Sequence, residues 1–270
     1  MTTRSKSTAR FLVVRFISSV LFLGLVATPG CAPAATRQPL LIFAGSASKQ
    51  PVDEAASAFQ KRTGIPVAVT YGGSGTLLSQ MILAKTGDVF IPASQDFMDT
   101  AETKGAVDPG TRRTIAYLLP VIAVQKGNPL AIVTLQDLAL PGRRVGIGNP
   151  ESVVVGTMAS EILKKAGLWD RVQPNIVVQA KSADDLASIL ALGQVDAVIG
   201  WDVFARWWPE KITVIPLPAS QLTRVGSIVA AISTYTAMRQ EAQRFLDFVT
   251  GADGQAIFGR NGFQTTEPRY

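Results

Sequence analysis

The sequence contains no histidine and a single cysteine, Cys31. The missing histidine excludes Ser-His and Cys-His nucleophile pairs, the commonest general base, and most zinc or copper sites. One cysteine excludes an intrachain disulfide framework. Charge is sparse: 17% of the 270 residues are Asp, Glu, Lys or Arg, and aromatics make up 7%. The net charge of +6 argues little for a nucleic-acid partner, because Arg4, Lys6, Arg10 and Arg15 stand in the first 34 residues with no acid among them. No apolar run reaches the roughly 20 residues that an ordinary transmembrane helix needs. The chain is nevertheless 47% hydrophobic, with 23 glycines and 16 prolines. That composition fits a folded chain with one sizeable core, or with two cores.

Residues 16–27 (FISSVLFLGLVA) follow a basic segment and precede Ala32-Pro33-Ala34. A basic start, a short apolar stretch and an Ala-x-Ala signal are the parts of an export leader, here residues 1–34. Cleavage after Ala34 leaves a soluble chain, which is the expected ending. Gly30-Cys31 also resembles the end of a lipoprotein box, in which Cys31 would carry a lipid, although Thr28 and Pro29 fit that box poorly.

The remainder alternates short apolar runs with amphipathic stretches. Residues 40–44 (LLIFA), 67–71 (VAVTY) and 88–91 (DVFI) read as strands, and 52–62, 76–84 and 97–104 as helices. The run 114–124 (TIAYLLPVIAV) is extended, and Pro120 within it points to a strand passing between domains. Residues 134–138, 157–166, 183–192, 203–208, 237–249 and 254–258 read as further helices. Strands appear at 144–147, 175–178, 197–199, 213–215 and 225–232. This alternation predicts an α/β fold with parallel sheets covered by helices.

In such folds ligands bind at the carboxyl ends of the strands. Three strand ends run into small-residue loops and then a helix: Ala44-Gly45-Ser46-Ala47-Ser48, Tyr71-Gly72-Gly73-Ser74-Gly75-Thr76, and 146–156 (GIGNPESVVVG). A fourth, Lys181-Ser182-Ala183-Asp184-Asp185, reads as a helix N-cap with a partial capping box. Helix starts offer unpaired N–H groups and the positive end of the helix dipole. Any one of these turns could be an ordinary cap; four together point to an anion-binding cleft.

The segments AGSASKQPVDEAASAFQKRTGIPV, YGGSGTLLSQ, GDVFIPASQDFMD, VGIGNPESVVVGTMASEILKKAGLWD, SADDLASILALGQVDAVIGWD and FLDFVTGADGQAIFGRNGF, in this order, resemble the periplasmic molybdate/tungstate-binding proteins of ABC importers. The resemblance covers about residues 40–264. It implies a two-lobed type II periplasmic binding protein fold whose hinge is two crossing segments, near 118–121 and 226–230. Lobe I would comprise residues 38–118 plus 228–270, and lobe II residues 119–227. It further implies a periplasmic monomer that hands its anion to a permease and ATPase, with no cofactor. The ligand contacts carried over are the hydroxyls of Ser46 and Ser74 and the backbone amides of Val155 and Ser182. The family's tyrosine falls on Gly200, a departure. Either the neighbouring Trp201 supplies an indole N–H in its place, or Asp202 faces the anion and binding strengthens as pH falls.

Molybdate and tungstate are fully deprotonated near neutral pH and only accept hydrogen bonds. Phosphate keeps a proton and favours a site with an acceptor. A donor-only cage therefore suits molybdate, tungstate, sulfate or chromate; phosphate and thiosulfate remain alternatives. A serine penicillin-binding enzyme is a further alternative, since Ser46-Ala47-Ser48-Lys49 is an S-x-x-K and Lys85-Thr86-Gly87 a K-T-G, though no S-D-N occurs. Trp207-Trp208 beside Arg206 reads as partly buried packing, and Glu151 as an acid favouring a helix start.

Overall fold

The computed structural model describes residues 37–268. The expected leader 1–34 and Cys31 lie outside the described residues. The elements in chain order are β1 (Leu40–Gly45), α1 (Lys49–Thr63), β2 (Val67–Gly72), α2 (Ser74–Ala84), β3 (Val89–Ile91), α3 (Gln95–Thr103), β4 (Arg113–Leu118), β5 (Pro120–Gln125), β6 (Val145–Gly148) and α4 (Val154–Lys165). There follow α5 (Trp169–Val172), β7 (Ile176–Ala180), α6 (Ala183–Ala191), β8 (Ala197–Trp201), α7 (Phe204–Trp207), β9 (Ile212–Pro216), β10 (Gly226–Ile232), α8 (Arg239–Thr250) and α9 (Ala252–Arg260).

Two five-stranded sheets result, in the orders β2-β1-β3-β10-β4 and β7-β6-β8-β5-β9. The expectation of parallel sheets is corrected: both are mixed. β1 pairs parallel with β2 and β3, and β6 with β7 and β8, but β10 runs antiparallel to β3 and β4, and β5 to β8 and β9. The reversed strands are the two that enter a sheet after the chain has changed sheets, so they arrive from the opposite end. The extended run around Pro120 is two strands, not one. Leu119 alone separates β4 in the first sheet from β5 in the second. Pro120 opens β5, a position where a missing N–H is tolerated. The chain returns between β9 and β10. The helix expected at residues 134–138 is a single 3-10 turn, Gln136–Ala139.

Burial follows position in the sheet. Edge strand β2 alternates between half-buried and exposed residues, while central β10 is buried throughout. Helix α1 buries Val52, Ala55, Ala56 and Phe59, the i, i+3, i+4, i+7 stripe of a helix lying on a core. Phe59 meets Phe245 of α8 edge-to-face, with ring centroids 5.2 Å apart. Gly64, at φ 67°, ends α1 in the left-handed conformation. One apolar cluster spans both sheets, including Ile91, Val155 and Val198. A second belongs to the second sheet (Ile122, Ile147, Leu163) and a third to the first (Leu78, Phe90, Val229). Among the described residues no helix is long and apolar enough to cross a membrane.

Candidate functional site

Each loop named from the sequence leaves the carboxyl end of a strand and starts a helix. β1 ends at Gly45 and turns through Ser46–Ser48 into α1. β2 ends at Gly72, and Gly73 is the N-cap of α2. β6 leads through 149–153 to α4, and β7 through Lys181 and Ser182 to α6. These turns meet between the sheets around a buried cavity whose lining includes Ser46, Ser74, Val154, Val155, Ala183 and Trp201. Ser46 and Ser74 are each 2% exposed, and Val155 and Trp201 1%. Among the described residues no ionisable side chain lines the cavity.

The hydrogen bonding fixes what this cavity offers. Ser46 Oγ accepts the amide N–H groups of Ala183 at 3.0 Å and Asp184 at 3.3 Å, from the opposite lobe. Ser74 Oγ accepts the N–H of Ala93 at 3.2 Å. Among the described residues neither hydroxyl has a carbonyl or carboxylate to donate to. Each therefore holds its oxygen toward protein amides and keeps its hydrogen for another acceptor. Accepting an N–H also polarises the O–H and strengthens it as a donor. At α4 the amides of Gly156 and Thr157 close onto the Val153 carbonyl at 2.8 and 3.1 Å. The N–H groups of Val154 and Val155 remain as the open donors of a helix start. Hydroxyl hydrogens and helix-start dipoles supply positive potential here without a charged side chain.

Ser46, Ser74, Val155 and Trp201 thus share one cavity, whereas Ser182 does not line it. Ser182 is the N-cap of α6: its Oγ accepts the Asp185 N–H at 3.3 Å and donates to Asp184 at 2.6 Å. The N-cap side chain turns back onto the helix it starts, and the adjoining Ala183, whose N–H is engaged by Ser46 Oγ, lines the cavity; the contact expected of Ser182 was its backbone amide. Glu151 is exposed and its N–H is taken by Asn149 Oδ1 at 2.9 Å, away from the cavity. At Gly200 a Cβ would fall 2.5 Å from the Phe204 ring, so the phenyl group fills the space that a side chain on β8 would need. Trp207 is half-buried and packs on Phe204, with centroids 5.0 Å apart. Lys49 does not reach Ser46; its ammonium pairs with Asp53 at 3.0 Å and lies over the Tyr71 ring.

Trp201 and Asp202 face different ways. Trp201 turns to the cavity, and the far edge of its indole lies against Gly226 at the start of β10, where a Cβ would come within 2.6 Å of it. Asp202 turns to the first crossing. Its Oδ1 accepts the N–H groups of Leu119 at 3.2 Å and Val203 at 3.1 Å. Burial pushes its carboxyl up to about 6, against those two N–H groups, which favour the anion. The folded chain therefore holds this proton more tightly than the unfolded chain does. The resulting stability is present below the ordinary carboxyl value and is lost as pH rises through about 6. At 1.36 kcal/mol per unit, this difference is at most about 3 kcal/mol. Asp202→Asn keeps an Oδ1 for both amides and removes the charge. It is expected to raise the melting temperature at about pH 8 and leave it unchanged at about pH 4. Melts across that range check this; a gap independent of pH refutes it.

Two features escaped the sequence reading. Gly73 carries no side chain, yet touches the other lobe. Arg224, between β9 and β10, forks from Asp96 of α3 to Glu161 of α4, the latter at 2.9 Å, and so ties the two lobes together. Their partners lie far away in sequence, and no local pattern announces them.

Two α/β lobes joined by two crossings, with a buried cavity between them, define a two-lobed solute-binding protein. The chain belongs to the bacterial extracellular solute-binding protein family, whose model matches residues 40–264. It is 29% identical over 234 residues to the molybdate-binding protein ModA of Escherichia coli, covering 83% of this chain and 88% of that one. It is 28% identical over 256 residues to ModA of Mycobacterium tuberculosis H37Rv, covering 92% and 95%. The periplasmic molybdate-binding protein of Azotobacter vinelandii has the same fold, with a TM-score of 0.74 at 24% identity over 85% of this chain and all of that one.

Proposed function

We propose that this protein is an exported receptor that captures molybdate or tungstate between its lobes and delivers it to an ABC permease and its ATPase. The observation that carries this reading is the pair of buried hydroxyls, Ser46 and Ser74, whose oxygens are already taken by amide N–H groups. A cavity with hydrogens to give and no acceptor to offer matches an anion that carries no proton. The amides of Val154 and Val155 and the Trp201 indole N–H complete the set of donors. The two molybdate-binding relatives support the choice of anion. Hydrogen bonds to a charged group contribute roughly 1.5–3 kcal/mol each. A few of them, less the losses on ordering and lobe closure, reach the −8.2 kcal/mol that corresponds to about 1 μM.

In this reading residues 38–118 plus 228–270 move as one body and 119–227 as the other, the protein acts as a periplasmic monomer, and no cofactor takes part. Catalysis at Ser46 is disfavoured, because the lysine of its S-x-x-K is committed to Asp53. A thermal-shift panel of molybdate, tungstate, sulfate, chromate, phosphate and thiosulfate on the mature chain tests the reading. A ligand at 100 times its Kd adds about 2.7 kcal/mol. That raises the midpoint by about 5–10 °C in a domain of this size. Molybdate or tungstate is expected to give this shift and sulfate at equal concentration much less; no shift with any tetrahedral oxyanion refutes the assignment.

A further inference from the structure

We propose that Gly73 sets how closely the two lobes approach around the anion, and thereby discriminates among tetrahedral oxyanions by size; this rests on the oxyanion reading above. Gly73 has φ −67° and ψ 137°, a backbone conformation that any residue adopts. Its glycine therefore serves no turn. Nor does it serve the helix: it is the N-cap of α2, a position where a serine, threonine or aspartate oxygen would satisfy a free amide, and no side-chain cap is made there. The reason for glycine lies across the cleft. A Cβ at this position would sit 2.8 Å from the Ser152 carbonyl oxygen and 2.9 Å from that of Lys181, both backbone atoms of the opposite lobe. The neighbouring Gly75 N–H also donates to Ser152 O, at 3.1 Å.

Those two carbonyls belong to the loops that carry the second lobe's share of the cavity. Ser152 precedes Val154 and Val155, and Lys181 precedes Ala183. Ser74, the first lobe's donor, is the residue after Gly73. The contact at Gly73 therefore governs the spacing between donors from one lobe and donors from the other. Any side chain here must push both loops away together, because neither obstacle is a flexible side-chain end. The separation lengthens hydrogen bonds to a small anion first. A larger one still spans the gap. Sulfate is smaller than molybdate, so it is the more sensitive probe.

Gly73→Ala and Gly73→Ser test this together. Alanine is a poor N-cap and serine a good one. The two variants therefore move helix stability in opposite directions while both add the Cβ. Calorimetric titration with sulfate and with molybdate is expected to show both variants losing sulfate affinity by about tenfold more than molybdate affinity. Small-angle scattering is expected to show both remaining more extended than wild type in saturating molybdate. The free Gly73→Ser protein melts no lower than wild type. Equal losses for the two anions, wild-type compaction, or an effect in Gly73→Ala that Gly73→Ser abolishes overturns the role of Gly73. Failure of the wild-type protein to bind either anion overturns the oxyanion reading itself.

Discussion

Replacing Ser46 and Ser74 together by alanine is expected to weaken molybdate binding by about two decades or more while leaving a folded protein. In the proposed binding mode each hydroxyl donates to a charged ligand, and losing both such bonds removes about 3 kcal/mol or more. The two variants differ in what else they disturb. Ser46→Ala leaves the N–H groups of Ala183 and Asp184 without their acceptor, and so also weakens the contact between lobes. Ser74→Ala leaves only the Ala93 N–H, within one lobe. The single variants should therefore separate: Ser46→Ala reduces both affinity and compaction, whereas Ser74→Ala reduces affinity alone. Titration calorimetry and scattering measure the two effects. Affinity within threefold of wild type in the double variant places the ligand elsewhere.

The largest expected effect on the fold comes from Gly156→Ala. A Cβ at Gly156 would stand 2.1 Å from the carbonyl oxygen of Gly148, far inside contact distance and against backbone rather than a movable side chain. Helix α4 rests on β6 at this point, and the same turn carries the amides of Val154 and Val155. Forcing the two apart is expected to destabilise the chain by about 3 kcal/mol or more. That corresponds to a drop of about 6–12 °C in melting temperature, accompanied by loss of the molybdate-induced shift. A variant that melts within about 1 °C of wild type shows that β6 and α4 tolerate the separation.

The strength of that contact could be anticipated only in part. The stretch GIGNPESVVVG reads as a strand, a turn and a helix start, but periodicity says nothing about two backbones touching. The same division holds throughout. β1, β2 and α1 were legible because their apolar residues recur at the spacing of a strand or a helix over enough positions. Strand direction was not, since a reversed strand such as β10 or β5 has the same apolar character as a parallel one. The break at Leu119 was half legible: Pro120 marked an interruption, without showing that the strands on either side join different sheets. That Ser46, Ser74, Val155 and Trp201 would come together around one cavity was legible because the loops that carry them follow strand ends, a rule of local order. For Ser182 the sequence marked the helix start, but not that its neighbour Ala183 lines the cavity and gives its N–H to Ser46 Oγ. Gly73 and Arg224 act through contacts made across the cleft, and these have no signature in their own neighbourhoods.

The placing of β10 bears on how this chain reaches its native state. β10 lies between β3 and β4, yet starts about 110 residues after β4 ends and about 135 after β3 ends, with β5 to β9 in between. Until it arrives, β3 and β4 each present an unpaired edge, a template for pairing with other chains. The second sheet has no such debt: all five of its strands lie within one continuous stretch, Pro120 to Pro216. The topology therefore orders the strand pairing: the second sheet can complete its ladder before β10 is available, whereas the first stays open until β10 inserts and α8 packs behind it.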